Sequence, residues 1–197
     1  MKALRHILLG FVLLFGLNKA QAQLDFDAIE LIPGVAIPVM AEAQLYNPGI
    51  ALNANYYYDD AYNYSLYGGI GFNQMSVKTF ESGYYPFWAI GGYSGAQFKI
   101  NIKEELLDIA LGGELGWMLR VYTGNPVSSS FDFGLEQSLG VSPKIALHWR
   151  IDKSWATLGI QCKYNAYFSL NSAFWGSSFA QGIHQWIQPG ISLKAYL

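Results

Sequence analysis

Three lysines and two carboxylates in this sequence could form buried ion pairs. Glu114, Lys144 and Lys163 lie at similar distances from the short connectors of three successive segments, and we expect Glu114 to bridge the two lysines. Lys99 and Asp108 flank a short connector and are predicted to pair with each other. Charged groups are tolerated away from water only when they are paired and hydrogen-bonded. Such a network could line an ion path, or it could fill an interior with polar side chains.

A catalytic constellation is the other chemistry that the sequence could support. Its candidates are His184, Ser177, Ser178, Asp132 and Glu136. A serine, a histidine and a carboxylate in contact could transfer acyl groups to or from lipid. No nucleophile motif accompanies them, and the phosphate loop, CxxC and HExxH patterns do not occur. The acidic pairs at 59–60 and 104–105 are typical of solvated turns. We therefore predict no catalytic residue, cofactor or metal.

The N-terminus predicts a cleavable signal peptide over residues 1–22. Residues 1–6 are cationic, Ile7 to Leu17 are apolar, and Ala20-Gln21-Ala22 fits the small-x-small cleavage rule. At about 1.5 Å per residue, this apolar stretch is too short to cross a hydrocarbon layer of about 30 Å as a helix. The mature domain is then residues 23–197.

The composition excludes several classes of protein. Of the 197 residues 52% are hydrophobic and 13% are charged, against about 25% charged in globular proteins. Disorder is excluded by this apolarity, and nucleic-acid binding is excluded because the net charge of −2 leaves no basic excess. Cys162 is the only cysteine, so no disulfide can form within the chain, and we place its side chain on an apolar face.

Beyond the leader, apolar residues alternate with small or polar ones at a period of two, which predicts strands. The eight predicted strands are 31–40, 49–58, 64–75, 87–100, 106–119, 131–150, 155–168 and 183–197. They are longer than the usual 5 to 6 residues of soluble proteins, and a tilted membrane strand needs about 9 to 11. The connectors alternate between long and short, as in outer-membrane barrels. The long ones are 41–48, 76–86, 120–130 and 169–182.

Charge placement indicates which face meets lipid. Nine charged residues fall within the predicted strands, all on the less apolar face. They are Lys99, Asp108, Glu114, Asp132, Glu136, Lys144, Arg150, Lys163 and Lys194. A charge on the lipid face costs about 2–4 kcal/mol at mid-bilayer, so we expect the apolar face outward and the polar face inward. A soluble, lipocalin-like barrel with exchanged faces is the alternative. Trp88, Trp117, Trp149 and Tyr58 are predicted to form an aromatic girdle near strand ends.

Three segments carry a resemblance to a known family. They are Gly34-Val35-Ala36-Ile37-Pro38-Val39, Asn47-Pro48-Gly49-Ile50-Ala51-Leu52 and Ser65-Leu66-Tyr67-Gly68-Gly69-Ile70-Gly71-Phe72. With the leader, they resemble the small eight-stranded outer-membrane β-barrel domain family of Gram-negative bacteria. The resemblance implies an all-β fold, a closed antiparallel up-and-down transmembrane barrel, in the cell outer membrane. It also implies insertion by the outer-membrane insertion machinery, for which the terminal aromatic, Tyr196, is followed here by Leu197.

These patterns together predict a non-enzymatic barrel that is a structural or surface-interaction scaffold. Its lumen is expected to be a polar plug, because eight strands leave an interior just wide enough for side chains. Four long loops would face outward, and 169–182 with Phe174, Trp175 and Phe179 is the best contact candidate. Its partners would be outer-membrane lipids, and we expect a monomer. A lipid hydrolase or acyltransferase using His184 and a narrow channel are the alternatives.

Overall fold

The computed structural model describes residues 27–60, 63–78, 86–103, 106–123, 133–152, 156–173 and 182–197. The predicted signal peptide lies outside these residues. The strands are β1 Ala28–Pro38, β2 Gly49–Asp59, β3 Tyr64–Met75, β4 Phe87–Lys103, β5 Leu107–Thr123, β6 Phe133–Asp152, β7 Ala156–Ala173 and β8 Ile183–Tyr196. One short helix, α1 Glu42–Leu45, lies between β1 and β2. Within the described residues, no helix has the length and apolarity to span a membrane.

The eight strands form one closed barrel in sequence order, and β8 returns to pair with β1. Every neighbouring pair is antiparallel. The predicted up-and-down, all-β architecture is therefore confirmed. Closure leaves no strand edge unpaired, which a sheet in hydrocarbon requires because unpaired backbone groups there cost several kcal/mol each.

The eight predicted strands are present, and they differ from the predicted ranges in where they begin and end. The third strand has the predicted bounds, but β1 begins at Ala28 rather than residue 31. Five strands run past their predicted ends, and the longest extensions are those of β5, to Thr123, and β7, to Ala173. They continue because their neighbours supply ladder partners, as Phe133 of β6 does for Thr123. Two predicted long connectors, 120–130 and 169–182, are shortened accordingly.

The side chains face the directions that the alternation predicts. Leu111 and Ile145 on the outer surface are 46% and 51% exposed, while Lys144 and Lys163 are only 5% and 3% exposed. Cys162 is exposed among the outward apolar residues, as predicted. The interior is thus polar and the exterior apolar, which is the reverse of a soluble barrel.

Glycines make room for tyrosine rings inside the barrel. A Cβ on Gly69 would lie 2.6 Å from the ring of Tyr93, and a Cβ on Gly95 would lie 2.6 Å from the ring of Tyr67. Both rings lie against neighbouring strands at places where any larger residue would displace them. Large tyrosines therefore pack over glycines inside the barrel.

The antiparallel topology puts the last residues of β1, β3, β5 and β7 at one end of the barrel, here called the long-connector end. The last residues of β2, β4 and β6 lie at the other end, here called the short-connector end. Helix α1 belongs to the long-connector end, and its connector is tied to the next long one. The amide of Lys78 donates to the carbonyl of Leu45 at 2.8 Å, and the amide of Asn47 donates to the carbonyl of Ser76 at 2.8 Å.

Candidate functional site

A central charged cluster occupies the middle of the lumen. Glu114 Oε2 lies 2.9 Å from Lys163 Nζ, and its Oε1 lies 4.0 Å from Lys144 Nζ. The hydroxyl of Tyr67 donates to Oε1 at 3.1 Å. Each ammonium group also lies over an aromatic ring, Lys144 over Tyr67 at 4.2 Å and Lys163 over Tyr93 at 4.7 Å. The structure thus brings together the three residues that the sequence predicts to meet.

A second buried group surrounds Glu30, which is not among the residues predicted from the sequence. Its Oε2 accepts hydrogen bonds from Asn55 Nδ2 at 2.8 Å and from the Tyr57 hydroxyl at 2.7 Å. Its Oε1 lies 3.7 Å from His148 Nε2, and Nδ1 of the same ring lies 3.1 Å from Asp108 Oδ1. Glu30 precedes the predicted first strand, yet it continues the inward phase of β1. The in–out alternation of the first strand, continued back to residue 30, would have indicated that the Glu30 side chain points inward.

The short-connector end is closed by a carboxylate from a turn. Asp60 contacts Lys99 Nζ at 2.9 Å and Lys194 Nζ at 2.5 Å, and it accepts a hydrogen bond from Ser65 Oγ. Its side chain is only 2% exposed. Burial alone would raise the pKa of Asp60, but the two lysines outweigh burial and lower it below its ordinary value. The interpretation of Asp60 as a solvated turn residue is therefore wrong.

The predicted pair of Lys99 and Asp108 is also wrong. In the register of β4 and β5, Asp108 faces Asn101, and Lys99 faces Ala110. On its other side Asp108 faces His148 of β6, and the two side chains bond. Lys99 turns instead toward the β2–β3 connector, where Asp60 is available. The sequence could not reveal this, because the competing partners come from elsewhere in the barrel.

At the long-connector end a buried arginine lies between two carboxylates and two aromatic rings. Arg120 is fully buried, with its guanidinium carbon 4.8 Å from the Phe87 ring centre and 5.5 Å from that of Trp186. Its Nη1 lies 3.6 Å from Oε1 of Glu42, which is carried by α1. The sequence pattern places Arg120 and Glu42 in connectors and does not indicate that either is a buried site residue. Arg120 keeps the inward phase of Glu114 and Met118, which was the available signal.

His184 lies in this same cluster, but its partners are carboxylates. Its Nδ1 bonds Oε1 of Glu42, and its Nε2 lies 2.6 Å from Oε1 of Glu136. The hydroxyls of Tyr122 and Ser138 donate to Glu136 at 2.6 and 3.1 Å. The other predicted members, Ser177, Ser178 and Asp132, lie outside the described residues. Within the described part of the chain, no group of three metal-ligating side chains has an arrangement suited to a metal ion.

Between the central cluster and Arg120 lies a small polar cavity of about 10 Å³. A volume of this size holds about one water molecule. Its walls include Asn53, Asn165, Trp186 and Gln188. Each of these has a buried polar atom without a hydrogen-bond partner in the described structure. The wall of the barrel interior at this level is therefore polar.

The predicted girdle residues lie at different heights. Trp88 is next to the start of β4 at the long-connector end, whereas Tyr58 and Trp149 lie near the short-connector end. All three are exposed on the outer surface. Trp117 is half-buried and faces Gly92 and Leu139, well before β5 ends at Thr123. It is not at a strand end as predicted, because β5 is longer than expected.

Solved structures share this architecture. Neisserial surface protein A aligns with a TM-score of 0.58 over 88% of this chain and 97% of that protein, at 10% sequence identity. The fold is that of the small eight-stranded outer-membrane β-barrels. The N-terminal β-barrel domain of Pseudomonas aeruginosa OprF aligns with a TM-score of 0.46 over 87% and 98% of the two chains, at 9% identity. No protein-family profile matches the sequence, and no curated protein is similar to it.

Proposed function

We propose that this chain is a non-enzymatic integral barrel of the outer membrane. Its lumen is plugged by polar side chains, and its long connectors are presented outward as a structural or surface-interaction scaffold. The observation that carries the proposal is the inverted distribution of side chains. Apolar residues such as Leu115 and Ile160 are 69% and 60% exposed, while the lysines and carboxylates within the barrel are buried. Only an apolar solvent around the barrel makes that distribution favourable.

The plugged lumen is supported by ion pairs at three heights. Asp60 with two lysines lies at the short-connector end, Glu114 with two lysines lies in the middle, and Arg120 with Glu42 lies at the long-connector end. An ion crossing the barrel would have to displace side chains at each height. A buried pair that loses a partner costs roughly 3–5 kcal/mol, so passage through all three would be slow.

The non-enzymatic assignment is supported by the contacts of His184. Both ring nitrogens face carboxylate oxygens, those of Glu42 and Glu136. A histidine that activates a serine needs one ring nitrogen on the hydroxyl and the other on a carboxylate. Purified chain incubated with phospholipid vesicles should release no fatty acid above a boiled control. Release that is lost in His184→Gln would instead support the hydrolase or acyltransferase.

Membrane insertion can be tested through Cys162. Because it is the only cysteine and lies on the outer surface, it can be labelled with a polarity-sensitive fluorophore in the unaltered chain. In vesicles we expect blue-shifted emission that brominated acyl chains quench. The control is Gln44→Cys in a Cys162→Ser background, which labels an exposed position on α1 and should remain unquenched. Equal quenching at both sites, or at neither, would contradict the proposal.

Barrel closure and the plug call for two further measurements. A closed barrel should migrate differently on a detergent gel before and after boiling, and identical bands would contradict closure. In planar bilayers the plugged lumen should give no discrete conductance steps. Steps that change size in Glu114→Ala would favour the narrow channel instead. We further infer that outer-membrane lipids surround a monomer, inserted by the outer-membrane insertion machinery.

A further inference from the structure

The carboxylate of Glu42 lies in a set of donors supplied by the barrel wall. Its Oε2 accepts the Gln185 backbone N–H at 3.1 Å, and its Oε1 contacts His184 Nδ1 and lies 3.6 Å from Arg120 Nη1. A guanidinium, an imidazole and a backbone amide around one carboxylate are the groups that proteins use to bind anions. Glu42 itself comes from a connector rather than from the wall.

Arg120 has binding capacity that Glu42 does not use. The side chain is fully buried, and none of its three guanidinium nitrogens makes a hydrogen bond of regular geometry within the described residues, although the Tyr122 hydroxyl lies beside it as a possible acceptor. Its guanidinium carbon lies over the rings of Phe87 and Trp186, and its N–H groups are the part that could bind a ligand. A buried guanidinium without hydrogen bonds is costly, and a bidentate carboxylate would satisfy two of its N–H groups.

The neighbouring charges limit what this site can accept. The Glu136 carboxylate lies 2.6 Å from His184 Nε2 and is itself bonded by Tyr122 and Ser138. Arg120 and His184 already face the carboxylates of Glu136 and Glu42, so a ligand that replaces Glu42 keeps this balance when it carries one negative charge. A second carboxylate or a doubly charged phosphate would add negative charge to the buried cluster beyond what Glu42 supplies. The charge balance therefore selects a singly charged, planar anion.

We propose that Arg120, His184 and the Gln185 amide form a carboxylate-binding site, and that Glu42 occupies it as a tethered ligand. The ligand class is a small organic carboxylate, which would replace Glu42 when the 39–48 connector moves away. While Glu42 is bound, it holds α1 over the end of the barrel, where Leu45 packs against the buried apolar cluster. The site thus couples anion binding to the position of this connector.

The experiment vacates the site and refills it with a free anion. In Glu42→Gly the tethered carboxylate is lost, and Gln44→Gly is the matched control because it places the same glycine at an exposed position of the same helix. Each full-length variant is refolded in detergent, and its thermal midpoint is measured against formate concentration. Chloride at equal ionic strength provides the salt baseline.

Formate should raise the midpoint of Glu42→Gly by roughly 3–6 °C at ten times its dissociation constant, in a saturable way. Gln44→Gly and the unaltered chain should respond equally to formate and chloride. The gain should disappear in Glu42→Gly with Arg120→Met. Equal responses of Glu42→Gly to formate and chloride would overturn the proposal. If Glu42→Gly fails to refold, Glu42→Ala against Gln44→Ala gives the same comparison with better helix formers.

Discussion

Removing the carboxylate of Glu114 should destabilise the barrel strongly. The side chain is 4% exposed and bonds Lys163 Nζ at 2.9 Å, with Lys144 Nζ at 4.0 Å and the Tyr67 hydroxyl at 3.1 Å. In Glu114→Ala two buried ammonium groups lose their shared counter-charge, and one phenol loses its acceptor. Breaking a buried pair in this way costs roughly 3–5 kcal/mol. We therefore expect a loss of that size in the free energy of unfolding.

The assay is reversible denaturant unfolding in detergent micelles, followed by tryptophan fluorescence and by heat-dependent gel migration. Leu115→Met is the matched control, because it is the next residue on the outer surface and a volume-conserving change costs less than about 1.5 kcal/mol. A double variant, Glu114→Gln with Lys163→Met, should recover part of the loss because it removes both charges of the closest pair. A loss below about 1 kcal/mol in Glu114→Ala, the range of exposed ion pairs, would refute the reasoning.

Three further predictions concern the outer surface, the short-connector end and the closing seam. Ile145→Lys puts a charge on the outward face and should lower the free energy of unfolding in vesicles by about 2–4 kcal/mol. Ile145→Ala should lower it much less. Equal unfolding midpoints for the two variants would contradict the assigned orientation. Lys194 helps hold the pKa of Asp60 below its ordinary value. The carboxylate therefore stabilises the fold fully above its ordinary pKa, and this stabilisation is lost as the pH falls through the lowered pKa. Acid titration below about pH 4 should therefore destabilise the unaltered chain more than Asp60→Asn, and parallel curves would exclude this origin. Gly34→Val should prevent closure of the barrel, because a Cβ there would lie 2.4 Å from a carbonyl oxygen of β8. Gly113→Ala is the control and should refold normally, because a Cβ there would have nothing within 4 Å. Gel migration before boiling distinguishes the two results.

The number of strands and their inward and outward faces could be predicted because alternation is a local property. Leu111 and Ile145 face outward while Lys144 and Lys163 face inward, as the period of two requires. Strand ends were harder to predict. The sequence pattern places Arg120 in a connector, but the pairing of β5 with β6 continues past it. A charged residue beyond an apolar run does not end a strand when the neighbouring strand is equally long.

The partners of individual charges were predicted only where strand register alone decides them. Glu114, Lys144 and Lys163 belong to three adjacent strands, so their heights suffice to bring them together. The prediction for Lys99 was wrong because a better partner, Asp60, reaches the lumen from a connector. Connectors do not follow an alternating pattern, so nothing local shows that one of their carboxylates turns inward.

By itself, the sequence determined that this chain forms a closed barrel with charged groups inside, because each residue's face follows from its neighbours along the strand. Only the tertiary structure decided which charges meet when one partner comes from a connector. Asp60 and Lys194 are 134 residues apart, and Glu42 and His184 are 142 apart. These contacts exist because β8 closes against β1 and because two connectors fold inward, and both are properties of the whole barrel.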